Sequence, residues 1–422
     1  MFYTYILIMK INKKIFLFTY GFPSGNSEDT FIKYELNKLI SDFKNVVIIP
    51  QKKFKKNIKK KIGVNKLKVN FELSNNFNIF NFIINYISFT LFSKIYYKEV
   101  TKIFFKKNFF TKFKMVSIEL TRSQIAHNWI SKTIDLSKNN IIFYSFWSNY
   151  LLLTFERLKK EFNIKTISRI LGSDLNGHIK GDEYVPFIDY KFYSLNKLLL
   201  LSNIQKSKVL KKKLINKNKI KIAALGVYKN TKNISKAKVN EINFLSCNNL
   251  IKIKNNFEMI NFVKFFSKNT NFKVNYYIIG NGEEYNNVKN KLIDCKSFFN
   301  FKLIKRVNNL TDFIQEKKIN FFINLSSQEG MSFSIMESLS CGVPVICSDI
   351  KENKLLVNKK RGYIIKLNNL KYSYLNVSRS ILKDFLNRER YLSKKRAAKS
   401  FINKNLLNKN CYPHILKILK EI

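Results

Sequence analysis

Short apolar runs alternate along this chain with longer stretches whose apolar residues recur at helical spacing. Runs of roughly four to eight residues are typical of buried strands, and the stretches between them are typical of helices that cover a sheet. Seven runs are predicted as strands: Val46-Val-Ile-Ile49, Asn140-Ile-Ile-Phe143, Lys197-Leu-Leu-Leu-Leu201, Ile242-Asn-Phe-Leu245, Val274-Asn-Tyr-Tyr-Ile-Ile279, Asn320-Phe-Phe-Ile-Asn-Leu325 and Pro344-Val-Ile-Cys347. The alternation predicts an α/β chain built from βαβ units with mostly parallel sheets.

A polar stretch rich in Lys and Asn interrupts this pattern near the middle of the chain. The sequence has 422 residues, so each side of the interruption is long enough to bury its own core. We therefore predict an N-terminal Rossmann-like domain at residues 1–224, a linker at 225–240 and a C-terminal Rossmann-like domain at 241–403. The two domains are expected to face each other across a cleft.

The most informative segment is Glu329-Gly-Met-Ser-Phe-Ser-Ile-Met-Glu337-Ser-Leu-Ser-Cys-Gly-Val-Pro-Val-Ile346. Glu329 stands in a glycine-containing turn after one predicted strand, and Glu337 stands inside an apolar-periodic run that Gly342 and Pro344 end. The two glutamates are a little over two helical turns apart, so a loop carboxylate and a helix carboxylate can face one cavity.

This arrangement has a chemical use. A helix N-terminus presents unpaired N–H groups and partial positive charge, which suit a diphosphate. A nearby carboxylate accepts hydrogen bonds from the hydroxyls of a sugar or a ribose. The segment therefore predicts a nucleotide-sugar site, and the competing interpretation is a surface glutamate beside a solvated helix glutamate.

Glu329 and Glu337 followed by Gly-Val-Pro-Val-Ile resemble the donor-site signature of retaining glycosyltransferases of family 4, which have the GT-B fold. The resemblance extends from about Lys13 to about residue 370. Further segments are similar to parts of bacterial polysaccharide-type members: Ile15-Phe-Leu-Phe-Thr-Tyr-Gly-Phe-Pro-Ser-Gly-Asn-Ser-Glu28, Thr30-Phe-Ile-Lys-Tyr-Glu-Leu36, Tyr144-Ser-Phe-Trp147, Ser168-Arg-Ile-Leu-Gly-Ser-Asp174, Leu225-Gly-Val227, Ser246-Cys-Asn-Asn-Leu-Ile-Lys-Ile-Lys254 and Ile278-Ile-Gly-Asn-Gly282. The resemblance also implies that a last helix, at 404–422, packs back on the N-terminal domain.

The resemblance implies roles on the donor side. Glu337 would hold the ribose hydroxyls and Glu329 the hydroxyls of the transferred sugar, while Lys254 would bind the phosphates as a point charge that stabilises the leaving diphosphate. The remaining donor-binding positions are a backbone segment that meets sugar and diphosphate and a turn where the base packs: Gly330, Met331, Ser332 and Phe333, and then Gly280 and Gly282. Lys254 is also open to a plainer interpretation, as one more lysine in a lysine-rich chain.

On the acceptor side, the resemblance assigns the lining of the cleft to Gly21 and Gly25, in the loop after the first strand, and to Arg169 and Asp174. Three departures stand out. Asn249 occupies the place where many relatives carry Arg, Leu171 stands where relatives often carry His next to the reacting sugar, and Ile350-Lys-Glu-Asn-Lys-Leu-Leu356 replaces a Gly-Gly and Glu element. Leucine cannot bind a hydroxyl, so its presence puts full activity or the usual sugar in question.

The implied function is metal-independent, retaining transfer of a hexose-type sugar from a UDP- or GDP-linked donor. The expected acceptor is a hydroxyl of a growing surface glycan, as in polysaccharide, lipopolysaccharide or capsule synthesis, or of a lipid-linked oligosaccharide. The alternative is a catalytically weak or inactive GT-B protein that binds nucleotide-sugar or serves in a glycan assembly complex. A nucleotide-sugar epimerase is less consistent with the sequence, which shows no matching acid–base histidine cluster.

Composition changes this picture only in part. A formal net charge of +49, from 77 Lys and Arg against 28 Asp and Glu, favours anionic partners such as nucleotide-sugars or anionic lipid. Enrichment in Lys, Asn, Ile and Phe is equally the mark of an AT-rich genome, and no nucleic-acid-binding motif is present. The five cysteines and three histidines lack metal-ligand spacing, so we predict no metal, no cofactor beyond the nucleotide-sugar co-substrate, and a reducing, cytoplasmic compartment.

The most hydrophobic stretch, Ile79 to Phe92, is too short and too polar for a spanning helix. Lysine-rich segments at 52–61 and 106–114 flank it, which is typical of a helix lying in a membrane interface. The sequence therefore leaves two interpretations open: peripheral contact with an anionic membrane, at the inner face of the cytoplasmic membrane, or an amphipathic core helix of the N-terminal domain. The apolar residues Met1 to Ile8 are too few for a signal peptide, and Met9 is a plausible start.

Overall fold

The computed structural model describes residues 10–23, 28–52, 68–177, 182–230 and 240–422. The chain divides into two compact units. The first unit contains the described residues up to 177 together with Asp182–Ala224 and Tyr412–Ile422, and the second contains the described residues of Leu225–Cys411. Of the predicted linker, residues 231–239 lie outside the described residues. Leu225 to Asn230 belong to the second unit, where Val227 forms a parallel bridge with Leu407.

The first unit is built on a parallel sheet whose described strands have the order β3-β2-β1-β4-β5-β6-β7. The strands are β1 (Ile11–Thr19), β2 (Phe43–Pro50), β3 (Lys68–Val69), β4 (Ile141–Ser145), β5 (Lys165–Ile170), β6 (Lys197–Leu200) and β7 (Ile220–Ile222). In the central pairing Phe16 lies opposite Phe143, and the two rings meet edge to face at 5.5 Å. These buried aromatics anchor the core of the unit.

Helices connect and cover these strands. They are α1 (Glu28–Asp42), α2 (Glu72–Asn76), α3 (Ile79–Ser88), α4 (Lys94–Ile103), α5 (Phe109–Thr133), α6 (Leu151–Glu161), α7 (Ser173–Asn176), α8 (Ile188–Lys191) and α9 (Asn203–Lys211). Side-chain caps mark some of the starts: the Asn78 oxygen accepts from Asn81 N–H at α3, and the Ser202 oxygen accepts from Gln205 N–H at α9.

Helix α3 forms most of the Ile79–Phe92 stretch, and none of its side chains is fully buried. One side of the stretch is exposed, whereas Tyr86, Phe89 and Leu91 pack against a buried cluster of the first unit. The stretch therefore packs on the unit along one side, and membrane contact through the other side stays a prediction. Within the described residues, no single helix is long and apolar enough to cross a membrane. One bent pair, Ile79–Phe92 with Lys94–Ile103, meets the requirement of length and composition together, with an angle of 84° between its parts.

The second unit is also built on a parallel sheet, whose described strands have the order β10-β9-β8-β11-β12-β13. Its strands are β8 (Glu241–Cys247), β9 (Lys273–Ile279), β10 (Asn300–Ile304), β11 (Phe321–Asn324), β12 (Val345–Ser348) and β13 (Gly362–Ile365). The later helices are α10 (Asn256–Lys268), α11 (Tyr285–Ile293), α12 (Leu310–Glu316), α13 (Phe333–Ser340), α14 (Lys351–Leu356), α15 (Leu370–Leu386), α16 (Arg388–Asn405) and α17 (Asn408–Glu421). The predicted fold class, two Rossmann-like units with parallel sheets, is confirmed.

Most of the last helix belongs to the first unit. Tyr412 donates its hydroxyl hydrogen to Asp42 at 2.9 Å, and Lys13 Nζ donates to the carbonyl oxygens of Leu419 and Lys420 at 3.3 and 2.9 Å. Lysine bonds to the last carbonyls of a helix satisfy groups that have no partner within the helix. The end of α17 is therefore fixed to the start of β1.

Each sheet has a point where the strand order reverses direction. In the first unit β1 lies between β2 and β4, and in the second β8 lies between β9 and β11. Connections from neighbouring strands leave in opposite directions there, which opens a crevice at the carboxyl ends of the strands, where open α/β sheets bind ligands. The loops after β8 and β11 carry Lys254 and Glu329, so the strand order brings these two residues to one place.

Candidate active site

The loops after β8 and β11 are joined by hydrogen bonds. Ser327 N–H donates to the carbonyl oxygen of Ile253 at 2.8 Å, and the Asn255 side chain donates to the carbonyl oxygen of Leu325 at 2.8 Å. Asn255 has a left-handed backbone conformation (φ 50°), which Asn tolerates better than most residues and which ends the 3-10 turn Lys252–Lys254 before α10. These contacts hold Lys254 against the loop that carries Glu329.

Lys254 and Glu329 form an ion pair at the centre of this site. Lys254 Nζ lies 2.7 Å from Glu329 Oε1, and the two side chains are 16% and 10% exposed. Asn324, the last residue of β11, donates its side-chain N–H to the same Glu329 oxygen and to Ser332 Oγ, both at 3.3 Å. Partial burial strengthens this charge-assisted contact relative to a surface pair, so both groups are oriented before any ligand binds.

The N-terminus of α13 lies next to this pair in sequence. The chain passes from Glu329 through buried Gly330 and half-buried Met331 to Ser332, the N-cap residue, and Phe333 is the first helical residue. Ser332 makes no side-chain cap hydrogen bond, because its hydroxyl interacts with Asn324 and Ser334 instead. A helix N-terminus without a side-chain cap is suited to an anion.

Glu337 lies within α13, which begins after its N-cap residue Ser332. Within the part of the chain that the structure describes, no hydrogen bond or ion pair to its carboxylate is found. Although its side chain is only half-buried, desolvation raises its pKa to about 8. Its charge in turn helps burial to raise the pKa of Cys247, at the end of β8, to about 12. A carboxylate in this position can accept two hydrogen bonds from vicinal hydroxyls.

The raised pKa of Glu337 makes a prediction about stability. The folded-state pKa of about 8 lies above the ordinary glutamate value of 4.5, so the folded state binds more protons than the unfolded state. The contribution of Glu337 to stability therefore falls as the pH rises from 4.5 to 8. Glu337→Gln is therefore expected to raise the Tm at pH 8 by about 5 °C, with no gain below pH 4.5. Differential scanning fluorimetry across this range measures the difference, and Glu283→Gln, which changes an exposed glutamate, is the matched control. A gain independent of pH would contradict the assignment.

Gly280 and Gly282 follow β9 and pack against the loop after β8. A Cβ on Gly280 would lie 2.1 Å from the carbonyl oxygen of Asn248, and one on Gly282 would lie 2.4 Å from that of Leu250. Only glycine allows this approach, which places Gly280 N–H on the carbonyl oxygen of Ile304 at 2.8 Å. Both positions shape the loop that leads to Lys254, and Asn249 in that loop is exposed.

In the first unit, the loop after β1 is organised by Glu28, a residue that the sequence analysis did not single out. Its carboxylate accepts from the backbone N–H groups of Tyr20, Gly21 and Phe22, at 3.0, 2.6 and 2.8 Å, and from Trp147 Nε1 at 2.7 Å. Gly21, expected at the lining of the acceptor side, is buried with its N–H group bound to Glu28. Gly25 lies outside the described residues.

Arg169 was expected to line the acceptor side, and the structure corrects this. Its side chain is 0% exposed, and its guanidinium contacts Glu35 Oε2 at 2.9 Å, the Tyr144 hydroxyl at 3.2 Å and the carbonyl oxygen of Ala223. Tyr144 also donates to Glu35 Oε1 at 2.6 Å. A buried charge is retained only when it is paired and hydrogen-bonded, so this network is a structural element that joins β5, β4, α1 and the end of β7.

Asp174 lies in the short helix α7 that follows β5. Its carboxylate accepts from Leu171 N–H at 2.8 Å, and desolvation raises its pKa to about 6 despite that hydrogen bond. Leu171, the residue in the place of the expected His, is half-buried and uses its backbone rather than its side chain in this contact. Asp174 therefore fixes the Leu171 loop.

Asn324 is a second residue that the sequence analysis did not assign. A polar side chain at the carboxyl end of an otherwise apolar strand is the signal that would have identified it, because side chains at this edge face the ligand crevice. Glu28 had a weaker signal, an acidic residue in the first turn of the helix after a glycine loop.

Comparisons with known proteins agree with this geometry. Residues 227–398 match the family model for glycosyl transferases group 1. The second unit contains a glycosyltransferase group 1 domain. The site residues from Gly280 to Glu337 and Lys254 all lie inside the matched region. Comparison of the sequence with curated proteins gives no match.

Solved structures extend the likeness to both units. A variant of TarM from S. aureus, solved with UDP and α-GlcNAc-glycerol, is 15% identical over 96% of this chain and 99% of its own, with a TM-score of 0.67. HepE from Anabaena, solved with UDP and glucose, is 11% identical over 97% and 100%, with a TM-score of 0.65. The lipopolysaccharide outer core galactosyltransferase WaaB is 12% identical over 97% and 100%, with a TM-score of 0.61.

The chain therefore has the GT-B fold, and the expected enzyme class, glycosyltransferase, is confirmed.

Proposed function

We propose that this glycosyltransferase is a retaining, metal-independent enzyme of family 4 that transfers a hexose-type sugar from a UDP- or GDP-linked donor. The acceptor is a hydroxyl of a growing surface glycan or lipid-linked oligosaccharide, as in lipopolysaccharide, capsule or other polysaccharide synthesis. The reaction takes place in the cytoplasm, at the inner face of the cytoplasmic membrane.

The observation that carries this proposal is the ion pair of Lys254 and Glu329 beside the start of α13. Lys254 and the helix N-terminus supply positive charge for a diphosphate, Glu329 accepts hydrogen bonds from sugar hydroxyls, and Glu337 accepts them from a ribose. Along the chain, Glu337, the start of α13 and Glu329 are matched in turn with the ribose, the diphosphate and the sugar. TarM and HepE were both solved with UDP, which supports a nucleotide diphosphate donor.

Binding of the donor changes the contacts of the ion pair. When a diphosphate approaches, Lys254 Nζ can turn from the carboxylate to a phosphate oxygen, and Glu329 is then free to accept from hydroxyls. As the bond between the sugar and the diphosphate breaks, negative charge grows on the phosphate oxygen, which Lys254 and the N–H groups of α13 stabilise. These interactions are strongest in the transition state, which is the condition for catalysis.

The anomeric configuration of the transferred sugar is retained if the acceptor hydroxyl attacks from the face that the diphosphate leaves. The departing phosphate oxygen then takes the proton of the hydroxyl while the new glycosidic bond forms and the bond to the diphosphate breaks. This step needs no general base from the protein. The cation at Lys254 and the helix N-terminus perform the charge stabilisation that a divalent metal would otherwise supply.

The acceptor class rests on chemistry and on relatives. Sugar hydroxyls suit a glycan acceptor, TarM was solved with α-GlcNAc-glycerol, and WaaB is a lipopolysaccharide outer core enzyme. Asn249 and Leu171 favour a second candidate, a weakly active chain that binds nucleotide-sugar in a glycan assembly complex. Asn249 adds no second cation at the diphosphate, and Leu171 offers no polar side chain to the reacting sugar.

Thermal shift and transfer assays test the proposal. UDP or GDP at saturating concentration is expected to raise the Tm by several degrees, with no change on addition of EDTA, since ligands that bind only the folded state stabilise it. NMR of the product of transfer reports the anomeric configuration. An inverted product, or a nucleotide effect that EDTA abolishes, would contradict retention or metal independence, respectively. Binding without turnover would favour the second candidate.

A further inference from the structure

Helices α3 and α4 and the start of α5 present large apolar side chains to solvent. Phe105 is 95% exposed, Phe110 84% and Ile79 79%, and these residues belong to a larger exposed set: Ile79, Phe80, Ile83, Ile84, Ile87, Phe92, Tyr97, Phe104, Phe105 and Phe110. We call this set the apolar face. Single exposed apolar residues are ordinary, but a concentration of ten in one stretch of the chain marks an interaction surface.

The opposite sides of the same helices are joined to the rest of the unit by apolar packing and by hydrogen bonds. Tyr86, Ile95 and Val100 pack against a buried cluster that includes Ile103 and Leu120. Tyr86, Tyr96 and Ser117 share a chain of hydroxyl contacts of 3.1 and 2.9 Å that joins α3, α4 and α5. Asn128 donates to Asn85 at 3.1 Å. In α3, Asn85 and Tyr86 therefore contact the unit while the isoleucines are exposed to solvent. An ordinary surface helix exposes its polar side instead.

Further contacts fix the helices so that the apolar face has a defined shape. Thr90 and Thr121 are buried and joined at 2.9 Å, and the Tyr97 hydroxyl donates to the carbonyl oxygen of Leu91 at 2.7 Å. At the turn from α4 to α5 the aromatic rings cluster, with centroid distances of 4.9 Å between Phe104 and Phe105 and 5.4 Å between Phe109 and Phe110. The side chains are therefore presented by a rigid support.

The charge of the same segment shows which partner fits. Between Ile79 and Lys114 the sequence has seven lysines and one acidic residue, Glu99, which is buried. Six of the lysines are exposed: Lys94, Lys98, Lys102, Lys106, Lys107 and Lys114. Lys102 pairs with Glu99 and Asp189, and the other five lie among the apolar residues. Aromatic and aliphatic side chains beside lysines match the interface of a bilayer with anionic headgroups, where each basic residue contributes about 1 kcal/mol near the surface.

We propose that the apolar face docks the first unit on an anionic lipid bilayer, with Phe80, Phe105 and Phe110 entering the headgroup boundary and the lysines pairing with lipid phosphates. A second copy of this chain is disfavoured as the occupant, because two faces that each carry these lysines would repel one another. The helices lie on the bilayer because their inner sides are bonded to the rest of the unit. This contact is independent of the donor site and involves other residues.

Vesicle sedimentation of the full chain tests the proposal. The wild-type protein is expected to sediment with vesicles of equal parts phosphatidylglycerol and phosphatidylcholine. With vesicles of pure phosphatidylcholine, the amount of protein that sediments is expected to be at least tenfold lower. The variant Phe80→Ser/Phe105→Ser/Phe110→Ser and the variant Lys106→Glu/Lys107→Glu are each expected to bind at least tenfold more weakly. The matched controls change residues of similar exposure elsewhere, Tyr193→Ser/Tyr372→Ser/Leu386→Ser and Lys359→Glu/Lys360→Glu, and are expected to bind as the wild type does.

Two readouts separate this proposal from others. The variants are expected to keep the Tm of the wild type and its thermal shift with UDP, so lost sedimentation is not lost folding or donor binding. Undiminished sedimentation of the variants, or equal binding to neutral vesicles, would overturn the proposal. So would a dimer in light scattering that the phenylalanine variant dissolves while vesicles fail to bind the wild type, since a second copy would then occupy the face.

Discussion

Replacing Lys254 with alanine is expected to lower the rate of sugar transfer by about 10²- to 10³-fold, the loss typical when one stabiliser of developing negative charge is removed. The physical reason is the position of Nζ, 2.7 Å from Glu329 Oε1 in the loop that leads to the N-terminus of α13. Initial rates at saturating donor measure the effect. The Kd for UDP is expected to rise by a smaller factor, because the transition state carries more phosphate charge than the ground state.

Lys252→Ala is the matched control, since Lys252 is an exposed lysine in the same 3-10 turn. It is expected to retain activity close to that of the wild type, so that a general loss of basic charge is excluded as the cause. Glu329→Ala is expected to lower transfer to a similar degree, through loss of hydroxyl binding and an unpaired Lys254. A wild-type rate equal to those of Lys254→Ala and Glu329→Ala would overturn the catalytic model.

Replacing Arg169 with leucine is expected to destabilise the first unit by about 3–5 kcal/mol, which lowers its Tm by about 10 °C. The change leaves the buried Glu35 carboxylate and the carbonyl oxygen of Ala223 without their cation. Urea denaturation followed by tryptophan fluorescence measures the loss. The second change Glu35→Leu is expected to restore part of it, because it removes the unpaired charge.

Arg379→Leu is the control for loss of an arginine at an exposed position. An acceptor-binding role for Arg169 makes the opposite prediction: an unchanged Tm with a raised KM for the acceptor. The comparison of Tm and KM in one variant therefore decides between a structural and a binding role for a residue that sequence resemblance placed at the acceptor.

Seven of the thirteen described strands could be predicted from apolar runs, because strands buried on both faces have continuous apolar sequences. Strands such as β5 and β10 carry polar residues and were not predicted from such runs. All seven predicted runs overlap strands of the two sheets, as Val274 to Ile279 does with β9. The pairing of Arg169 with Glu35 could not be predicted, since the two residues are far apart in the chain and only the neighbouring positions of β5, β4 and α1 bring them together. A motif gives the residue type at a position, but burial decides whether its side chain can reach a ligand or pairs inside the protein.

The donor site shows the same division. Spacing pointed to Glu329 and Glu337, and the family resemblance pointed to Lys254. The ion pair itself and the raised pKa of Glu337 depend on distances and desolvation that no sequence pattern states. For the Ile79–Phe92 stretch, hydrophobicity alone left two interpretations open. The structure adds that Ile83 is exposed while Tyr86 packs on the unit, a division that depends on the neighbouring helices and that hydrophobicity does not state.

The carboxylate of Glu28 bears on which of the two similar sheets can bind a nucleotide. Its three backbone bonds fill the positions at the end of β1 where a Rossmann fold would hold a phosphate. An internal anion thus substitutes for the nucleotide in the first unit, so a diphosphate would have to displace a buried, hydrogen-bonded charge to bind there. A nucleotide is therefore expected to bind at the carboxyl edge of the second sheet and not at that of the first.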